Sequence, residues 1–373
     1  MDKRRKFLFL PKETKKKLFA GVSFFLRTVF GVFCCFIGIN LIFSLAENGG
    51  SFFYYALAFA SPGSAIEILG TPLSEEETPL LPETEEPNTE EENSGAAFFP
   101  EEPYILRDVP ENRRGKITET QYSAKDGGIY IAYKNAIIKN CTSHSREKIL
   151  SKLGVPHSLS LEGTPSVLIY HTHATEGYEP EDRSYFDLSG TWRSTDPDEN
   201  MISVGDSLTA VLAEKGIGVI HDGTMHDDPG YKGSYQRSAV TVSKHLEANP
   251  GISVCLDIHR DAIEPSQTEI IKPAAEIGGR KAAQIMIIAG CDDGTMDMPD
   301  YWENLRFAAA LADKLEELYP GICRPILFDY RKYNMDLSPG LLLIEIGATG
   351  NTLEEAKYSA ELLGNALFEL FSE

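Results

Sequence analysis

Three apolar segments of this sequence end in, or are interrupted by, side chains that can bind a metal ion or carry a proton. The segments are residues 167–170, 254–258 and 341–346, and the side chains concerned are His171, His173, Glu176, His259 and Glu345. Histidine combined with a carboxylate is the usual ligand set of a catalytic zinc ion, which keeps an open position for water. Because the carboxyl ends of parallel strands meet in one crevice, we expect these side chains to lie together. The pattern predicts one zinc hydrolase site.

The five side chains divide into candidate metal ligands and a candidate base. His173, Glu176 and His259 are predicted to hold one zinc ion. His171 is the alternative to His173 as the first ligand. Glu345 lies within an apolar run, where a carboxylate is costly unless it points into a polar site. We therefore predict that Glu345 takes a proton from water and returns it to the leaving group.

Other residues near these segments have weaker interpretations. Arg260 follows His259 directly and is predicted to stabilise the transition state or to bind a substrate carboxylate. A structural ion pair would explain Arg260 equally well. Asp257 is expected to orient a ligand or to join a buried hydrogen-bond network. The cysteines after residue 100 are scattered without a Cys-x-x-Cys spacing, which argues against a cysteine zinc site.

The segments that must position these residues alternate between strand and helix patterns. Strands are predicted at 129–133, 136–138, 166–170, 217–220, 252–258, 285–289 and 341–346. Helices are predicted at 145–153, 201–215, 235–248, 301–319 and 352–371. This alternation predicts an α/β fold with a mainly parallel sheet and helices on both faces. We assign it to one domain, residues 116–373.

The N-terminal part of the chain predicts a membrane anchor. Residues 28–46 carry no charge, and a helix of that length reaches about 28 Å, close to the ~30 Å hydrocarbon core. Nine Lys and Arg among residues 1–27, against Asp2 and Glu13, predict that this segment stays in the cytoplasm. A cleaved signal peptide is the alternative, because residues 44–46 resemble a cleavage site. Either way, the remainder is predicted to lie outside the cell membrane.

An acidic linker is predicted to follow the anchor, over residues 47–115. Residues 47–102 contain thirteen Glu and neither Lys nor Arg, a composition that cannot bury enough apolar surface to fold. The remaining residues are also net acidic in a chain with a formal charge of −21. Nucleic acid is therefore excluded as an electrostatic partner.

Three separated parts of the sequence resemble the stage II sporulation protein P family. They are residues 167–178, 257–261 and 333–356, and their order and spacing agree with the family over roughly residues 128–371. The resemblance implies a membrane-anchored peptidoglycan hydrolase of sporulation engulfment in an endospore-forming bacterium. It also implies stage II sporulation proteins D and M as partners, at the sporulation septum and the engulfing membrane.

The family is similar to the zinc-dependent N-acetylmuramoyl-L-alanine amidases and also acts as an endopeptidase on peptide crosslinks. In those amidases an apolar strand is followed by Asp-Pro-Gly-His, and this pattern selects His173 over His171. The pattern places the second ligand, a glutamate, further along than Glu176, so the second ligand is either Glu176 or an acid near 196–199. His259 matches the third ligand, and Glu345 matches the catalytic carboxylate.

These observations predict hydrolysis of the lactyl amide between N-acetylmuramic acid and L-alanine. The alternatives are a catalytically inactive, cell-wall-binding scaffold of the engulfment complex and another extracytoplasmic zinc peptidase. The absence of His-Glu-x-x-His from the sequence removes the commonest type of zinc protease but not every peptidase.

Overall fold

The computed structural model describes residues 109–372 of the 373-residue chain. The strands are β1 (Arg114–Thr120), β2 (Tyr130–Tyr133), β3 (Ala136–Asn140), β4 (Val167–Tyr170), β5 (Tyr185–Asp187), β6 (Val219–His221), β7 (Val254–Asp261), β8 (Glu269–Ile277), β9 (Arg280–Ala283), β10 (Ile285–Gly290), β11 (Ile326–Asp329) and β12 (Leu341–Ala348). The α-helices are α1 (Arg146–Leu153), α2 (Met201–Glu214), α3 (Ser234–Ala248), α4 (Tyr301–Leu318) and α5 (Leu353–Ser372). The predicted helices and strands are all present, and their ends lie within three residues of the predicted ones.

The main sheet is mixed: most of its neighbouring pairs are parallel, as predicted, and two are antiparallel. Its strand order is β2-β3-β11-β10-β12-β7-β4-β6. The β2–β3 and β10–β12 pairs are antiparallel, and the other five neighbouring pairs are parallel. A two-residue turn at 134–135 joins β2 to β3, and so short a connection can only join antiparallel strands. The parallel group β12-β7-β4-β6 contains the predicted site segments.

A second, four-stranded sheet was not predicted from the sequence. Its order is β5-β1-β8-β9, and β8 and β9 form a hairpin. The turn of that hairpin is Gly278-Gly279, with φ angles of 59° and 78° that glycine adopts without strain. Residues 109–115, the end of the predicted linker, are ordered here, since Val109 is buried and β1 begins at Arg114.

The predicted cytoplasmic segment 1–27, the anchor 28–46 and the rest of the predicted linker lie outside the described residues. Between residues 109 and 372, no helix combines the length and the apolar character needed to cross a membrane.

Helices cover both faces of the main sheet, as the sequence predicts. On β4, Val167 and Ile169 pack into the apolar core formed with α1, α2, α4 and α5. Leu168 and Tyr170 point to the opposite face and pack with residues of α3. All four side chains are fully buried, which explains why this strand reads as a continuous apolar run rather than an alternating one.

Gly340 places the start of β12, the strand that carries Glu345, against the start of β7. A Cβ atom on Gly340 would lie 1.9 Å from the backbone oxygen of Ser253, which is a backbone clash that no rotamer change can relieve. We expect Gly340→Ala to lower the free energy of unfolding by about 2–3 kcal/mol, as overpacking does in other cores.

Thermal and urea denaturation would measure this loss. Gly154→Ala is the matched control, because a Cβ there would make only ordinary contacts, at 3.5 Å or more. If the two variants were equally stable, the close approach of β12 to Ser253 would be refuted.

Candidate metal centre

His173, Glu176 and His259 form a buried cluster in which one potential ligand atom of each lies within 4.8 Å of the other two. The carboxylate of Glu176 stands between the imidazoles. Its Oε1 is 3.7 Å from Nδ1 of His173, and its Oε2 is 3.7 Å from Nδ1 of His259. Two imidazoles and one carboxylate converge as in many catalytic zinc sites.

The loop after β4 carries two members of the cluster and is fixed at two points. The backbone N–H and the hydroxyl of Thr172 donate to the two carboxylate oxygens of Asp257, at 2.8 and 2.7 Å. The backbone N–H and the hydroxyl of Thr175 donate to the carboxylate of Asp227, at 3.2 and 2.6 Å. Because both carboxylates are fully buried, the loop cannot exchange these bonds for water without a large desolvation cost. His173 is therefore held in place on both sides.

Asp257 also touches the third member of the cluster. Its Oδ1 lies 2.8 Å from Nε2 of His259, an ion-pair contact that does not have the geometry of a hydrogen bond. Burial alone would lower the pKa of His259, but Asp257, Glu176 and Glu345 raise this pKa to about 9. Asp257 thus occupies Nε2 of His259 and leaves Nδ1 facing Glu176. A carboxylate behind a histidine ligand is a common way to fix its ring.

The pKa of His173 is shifted in the opposite direction to that of His259. Burial, and next the neighbouring His259, lower the pKa of His173 to about 3, so this imidazole is neutral near pH 7. A neutral imidazole has a free lone pair for a metal ion. The Nε2 atom of His173 is buried and has no hydrogen-bond partner among the described residues.

Glu345 lies next to the cluster on β12. It stands opposite His259 in the parallel β7–β12 register, and its Oε2 is buried without a hydrogen-bond partner in residues 109–372. Burial raises the pKa of Glu345 to about 8, although His259 acts in the opposite direction. An unpaired carboxyl with a pKa near neutrality is suited to proton transfer.

His171 lies apart from the cluster. Its Nδ1 donates to the backbone oxygen of Ile258 at 2.9 Å, and its Nε2 lies 2.9 Å from Nε2 of His221. Both ring nitrogens therefore have partners, and the cluster is built with His173 rather than with the alternative, His171. Gly205 of α2 leaves room for this histidine pair, since a Cβ there would lie 2.5 Å from His221.

The guanidinium of Arg260 is engaged with the protein rather than directed at the cluster. It donates to the backbone oxygens of Gly177 and Trp192 and to the hydroxyl of Thr349. The alternative interpretation from the sequence, a structural role, accounts for these contacts. The backbone N–H of Arg260 donates to Oε2 of Glu176 at 3.3 Å and so helps to hold the carboxylate.

Arg193 belongs to the site, although it was not predicted as a site residue. Its Nη2 is 3.5 Å from Oε1 of Glu176, and its Nη1 is 2.7 Å from the carboxylate of Asp227. Arg193 lies in an irregular segment without periodicity or a neighbouring motif, so no sequence signal identifies it. It connects the carboxylate of the cluster to the carboxylate that fixes the loop.

The acids near 196–199, the other candidates for the second ligand, lie outside the cluster. Asp196 and Asp198 are exposed. Glu199 accepts a hydrogen bond from Ser194 at 3.0 Å and lines a cavity of about 270 Å³. Arg193 also lines this cavity, which we call the polar cavity.

The donor set of the cluster fits a zinc ion. It offers two imidazole nitrogens and a carboxylate, and it contains buried polar atoms of His173 and Glu345 that the described part of the protein leaves without partners. Buried polar atoms without partners are uncommon in native proteins and require an explanation, which a bound ion with its water would supply.

The fold and this cluster define an α/β protein with a candidate His-Glu-His metal centre. The family model of Stage II sporulation protein P matches residues 74–368, and the chain belongs to that family. This confirms the resemblance found in the sequence. Stage II sporulation protein P of Bacillus subtilis (strain 168) is 31% identical over 224 residues, a match that covers 56% of this chain and 50% of the relative. The chain thus spans about half the length of that curated relative.

Solved structures of two amidases are also similar to the chain. N-acetylmuramoyl-L-alanine amidase AmiC2 of Nostoc punctiforme matches with 10% identity and a TM-score of 0.35, covering 57% of this chain and 99% of the amidase. The CwlD amidase of Clostridioides difficile, solved in complex with the GerS lipoprotein, matches with 12% identity and a TM-score of 0.33, covering 56% and 98%.

The contact between Asp257 and His259 predicts a specific effect on metal binding. We expect Asp257→Asn to weaken zinc binding about 10- to 100-fold, because the ring of His259 loses the charge that holds its Nε2. Competition with a chromophoric chelator would measure the affinity. Asp222→Asn is the matched control, since Asp222 also pairs with a histidine, His245, at 2.7 Å but outside the cluster. Equal zinc affinities of the two variants would refute the role of Asp257.

Proposed function

We propose that this protein is a zinc-dependent peptidoglycan hydrolase that cleaves the lactyl amide between N-acetylmuramic acid and L-alanine. The observation that carries the proposal is the convergence of His173, Glu176 and His259 beside Glu345, whose Oε2 is buried without a hydrogen-bond partner in residues 109–372. Membership of the Stage II sporulation protein P family supports a role in sporulation.

In this proposal His173, Glu176 and His259 would hold one zinc ion. A zinc ion bound there supplies Lewis-acid chemistry, which lowers the pKa of water and polarises a carbonyl oxygen. The protein keeps the ligands in place through Asp257, which contacts His259, and through Arg193, which contacts Glu176.

Glu345 is the proposed proton carrier. Its free Oε2 accepts a proton from the attacking water and then donates that proton to the nitrogen of the leaving L-alanine. Proton transfer by a positioned side chain contributes about 10²–10⁴-fold to such reactions and is most efficient when the pKa lies near the working pH. Burial of Glu345, which raises its pKa to about 8, brings the carboxyl into that range.

The proposal includes a location and partners. Residues 28–46 would anchor the chain in the cell membrane with residues 1–27 in the cytoplasm, so that residues 116–373 meet peptidoglycan outside it. We place this activity at the sporulation septum and the engulfing membrane, together with stage II sporulation proteins D and M. Endopeptidase cleavage of peptide crosslinks is a second activity that the same site could support, because both substrates are amides.

Digestion of purified sacculi by the full-length protein, with products identified by mass spectrometry, tests the reaction. We expect free stem peptides that begin with L-alanine, and we expect a zinc chelator to abolish them. Glu345→Gln should lower the rate about 10²–10⁴-fold, because the amide cannot carry the proton. The zinc content of this variant should be unchanged.

Glu369→Gln is the matched control, because this carboxylate of α5 is exposed, lies outside the site and should not affect the rate. Uncrosslinked muropeptides without free stem peptides would replace the amidase with an endopeptidase. An absence of any product with zinc-loaded protein and added protein D would favour the catalytically inactive scaffold.

A further inference from the structure

Three tyrosines border the candidate metal centre. The ring of Tyr231 stacks on the ring of His173, with centroids 4.3 Å apart and an interplanar angle of 26°. Tyr235 approaches His173 edge-on at 5.5 Å, and it stacks on Tyr333 at 5.0 Å and 21°. We call Tyr231, Tyr235 and Tyr333 the tyrosine shelf. It joins the segment before α3, the first turn of α3 and the segment before β12 next to a candidate ligand.

Tyr231 is open to solvent, although the guanidinium of Arg193 lies over its ring, 4.9 Å from the centroid. It is 47% exposed, and it is the only aromatic among the exposed large apolar side chains of residues 109–372. Its hydroxyl makes no hydrogen bond within that range. Single exposed apolar residues are common on protein surfaces. An exposed aromatic ring stacked on a candidate metal ligand is a more specific feature, because substrate must reach the same place.

The segment that carries Tyr333 is held in an unfavourable backbone conformation. Tyr333 and Asn334 have φ angles of 44° and 60°, in the left-handed region that residues other than glycine seldom adopt. The side-chain amide of Asn334 donates to the backbone oxygen of Tyr235 and to the hydroxyl of Ser238, each at 3.0 Å. Arg331 donates to the hydroxyl of Tyr333 at 2.6 Å. Such backbone conformations are characteristically maintained at functional sites.

The chemistry of the proposed substrate indicates what the shelf binds. The scissile carbonyl is separated from the muramic acid ring only by the short lactyl group, so the ring must lie beside the metal centre during hydrolysis. A sugar ring presents C–H groups on its faces, and these are attracted to the negative face of an aromatic ring. The stem peptide, by contrast, carries charged groups.

The two surfaces beside the cluster, the polar cavity and the tyrosine shelf, differ as the peptide and the sugar ring do. The polar cavity is lined in part by the charged side chains of Arg193, Glu199 and Glu354, which suit a charged peptide, and in part by aromatic residues such as Trp192. The tyrosine shelf offers flat aromatic surface, with the guanidiniums of Arg193 and Arg331 lying 4.9 and 5.7 Å from the ring centroids of Tyr231 and Tyr333. We propose that the tyrosine shelf binds the muramic acid ring of the glycan strand, with Tyr231 as the stacking residue. This inference rests on the proposed function, because it assumes that a sugar ring is attached to the scissile amide.

Binding to glycan strands stripped of peptide tests the shelf without requiring turnover. Isothermal titration calorimetry would compare Glu345→Gln protein, loaded with zinc, with and without a second substitution at Tyr231. Tyr231→Ala should weaken binding of the stripped glycan about 2- to 10-fold, the range expected from about 0.5–1.5 kcal/mol for an aromatic contact. Tyr231→Phe should bind as tightly as the parent, because stacking does not need the hydroxyl.

Kinetics on sacculi with otherwise unsubstituted protein provide a second readout. Tyr231→Ala should raise KM by a similar factor and leave kcat and the zinc content nearly unchanged. Val240→Ala is the control, because Val240 is an exposed apolar residue of α3 that belongs to neither surface.

The possible results separate this inference from the proposed function. Release of stem peptides by the parent protein, together with unchanged glycan binding by Tyr231→Ala, would overturn the shelf and leave the amidase intact. An equal loss of binding to free stem peptide would also overturn it, since the shelf would then be a peptide site. A parent protein that bound glycan through Tyr231 but released no stem peptide would refute only the amidase.

Discussion

The buried carboxylate of Asp257 is the contact on which the arrangement of the site depends. Asp257 is fully buried between β4 and β12, where an unpaired charge would be very costly. It is satisfied by Thr172 from the loop after β4 and by His259 of its own strand. Burial alone would raise the pKa of Asp257, but His259 and Thr172 lower it below its ordinary value. The carboxylate therefore stays charged and fixes the loop relative to the strand.

The same network continues away from the metal centre. The hydroxyl of Thr172 contacts that of Ser238 on α3 at 2.8 Å, and Ser238 accepts a hydrogen bond from Asn334. Asn334 follows Tyr333 in the tyrosine shelf. A single chain of hydrogen bonds thus joins the metal-binding loop, α3 and the surface that we propose for the sugar. Because buried polar networks are costly when only partly satisfied, a change at one end will disturb the others. The geometry of the candidate metal ligands and the binding of substrate therefore depend on the same hydrogen-bond network.

The sequence predicted the parts of this structure that follow from local patterns. Apolar runs identified β4, β7 and β12, and their neighbouring positions in the sheet bring His173, Glu176 and His259 together. The parts that were missed depend on contacts between distant segments. Arg193 reaches the cluster from an irregular segment, and the shelf combines residues about a hundred positions apart. The β8–β9 hairpin could have been found, because Gly278-Gly279 is a recognised turn signal.

The most demanding feature of the site is that Oε2 of Glu345 is buried without a hydrogen-bond partner among residues 109–372, although Arg324 acts on its charge. The arginines of the site are engaged elsewhere: Arg324 pairs with Asp261 at 2.8 Å, Arg260 binds backbone oxygens, and Arg193 pairs with Asp227. A guanidinium that moved onto Glu345 would lower its pKa and bind its oxygens, which would remove it from proton transfer. Pairing each arginine with another acceptor keeps the carboxyl both buried and free. The charges that hold the fold together are thereby separated from the carboxyl that we propose for proton transfer.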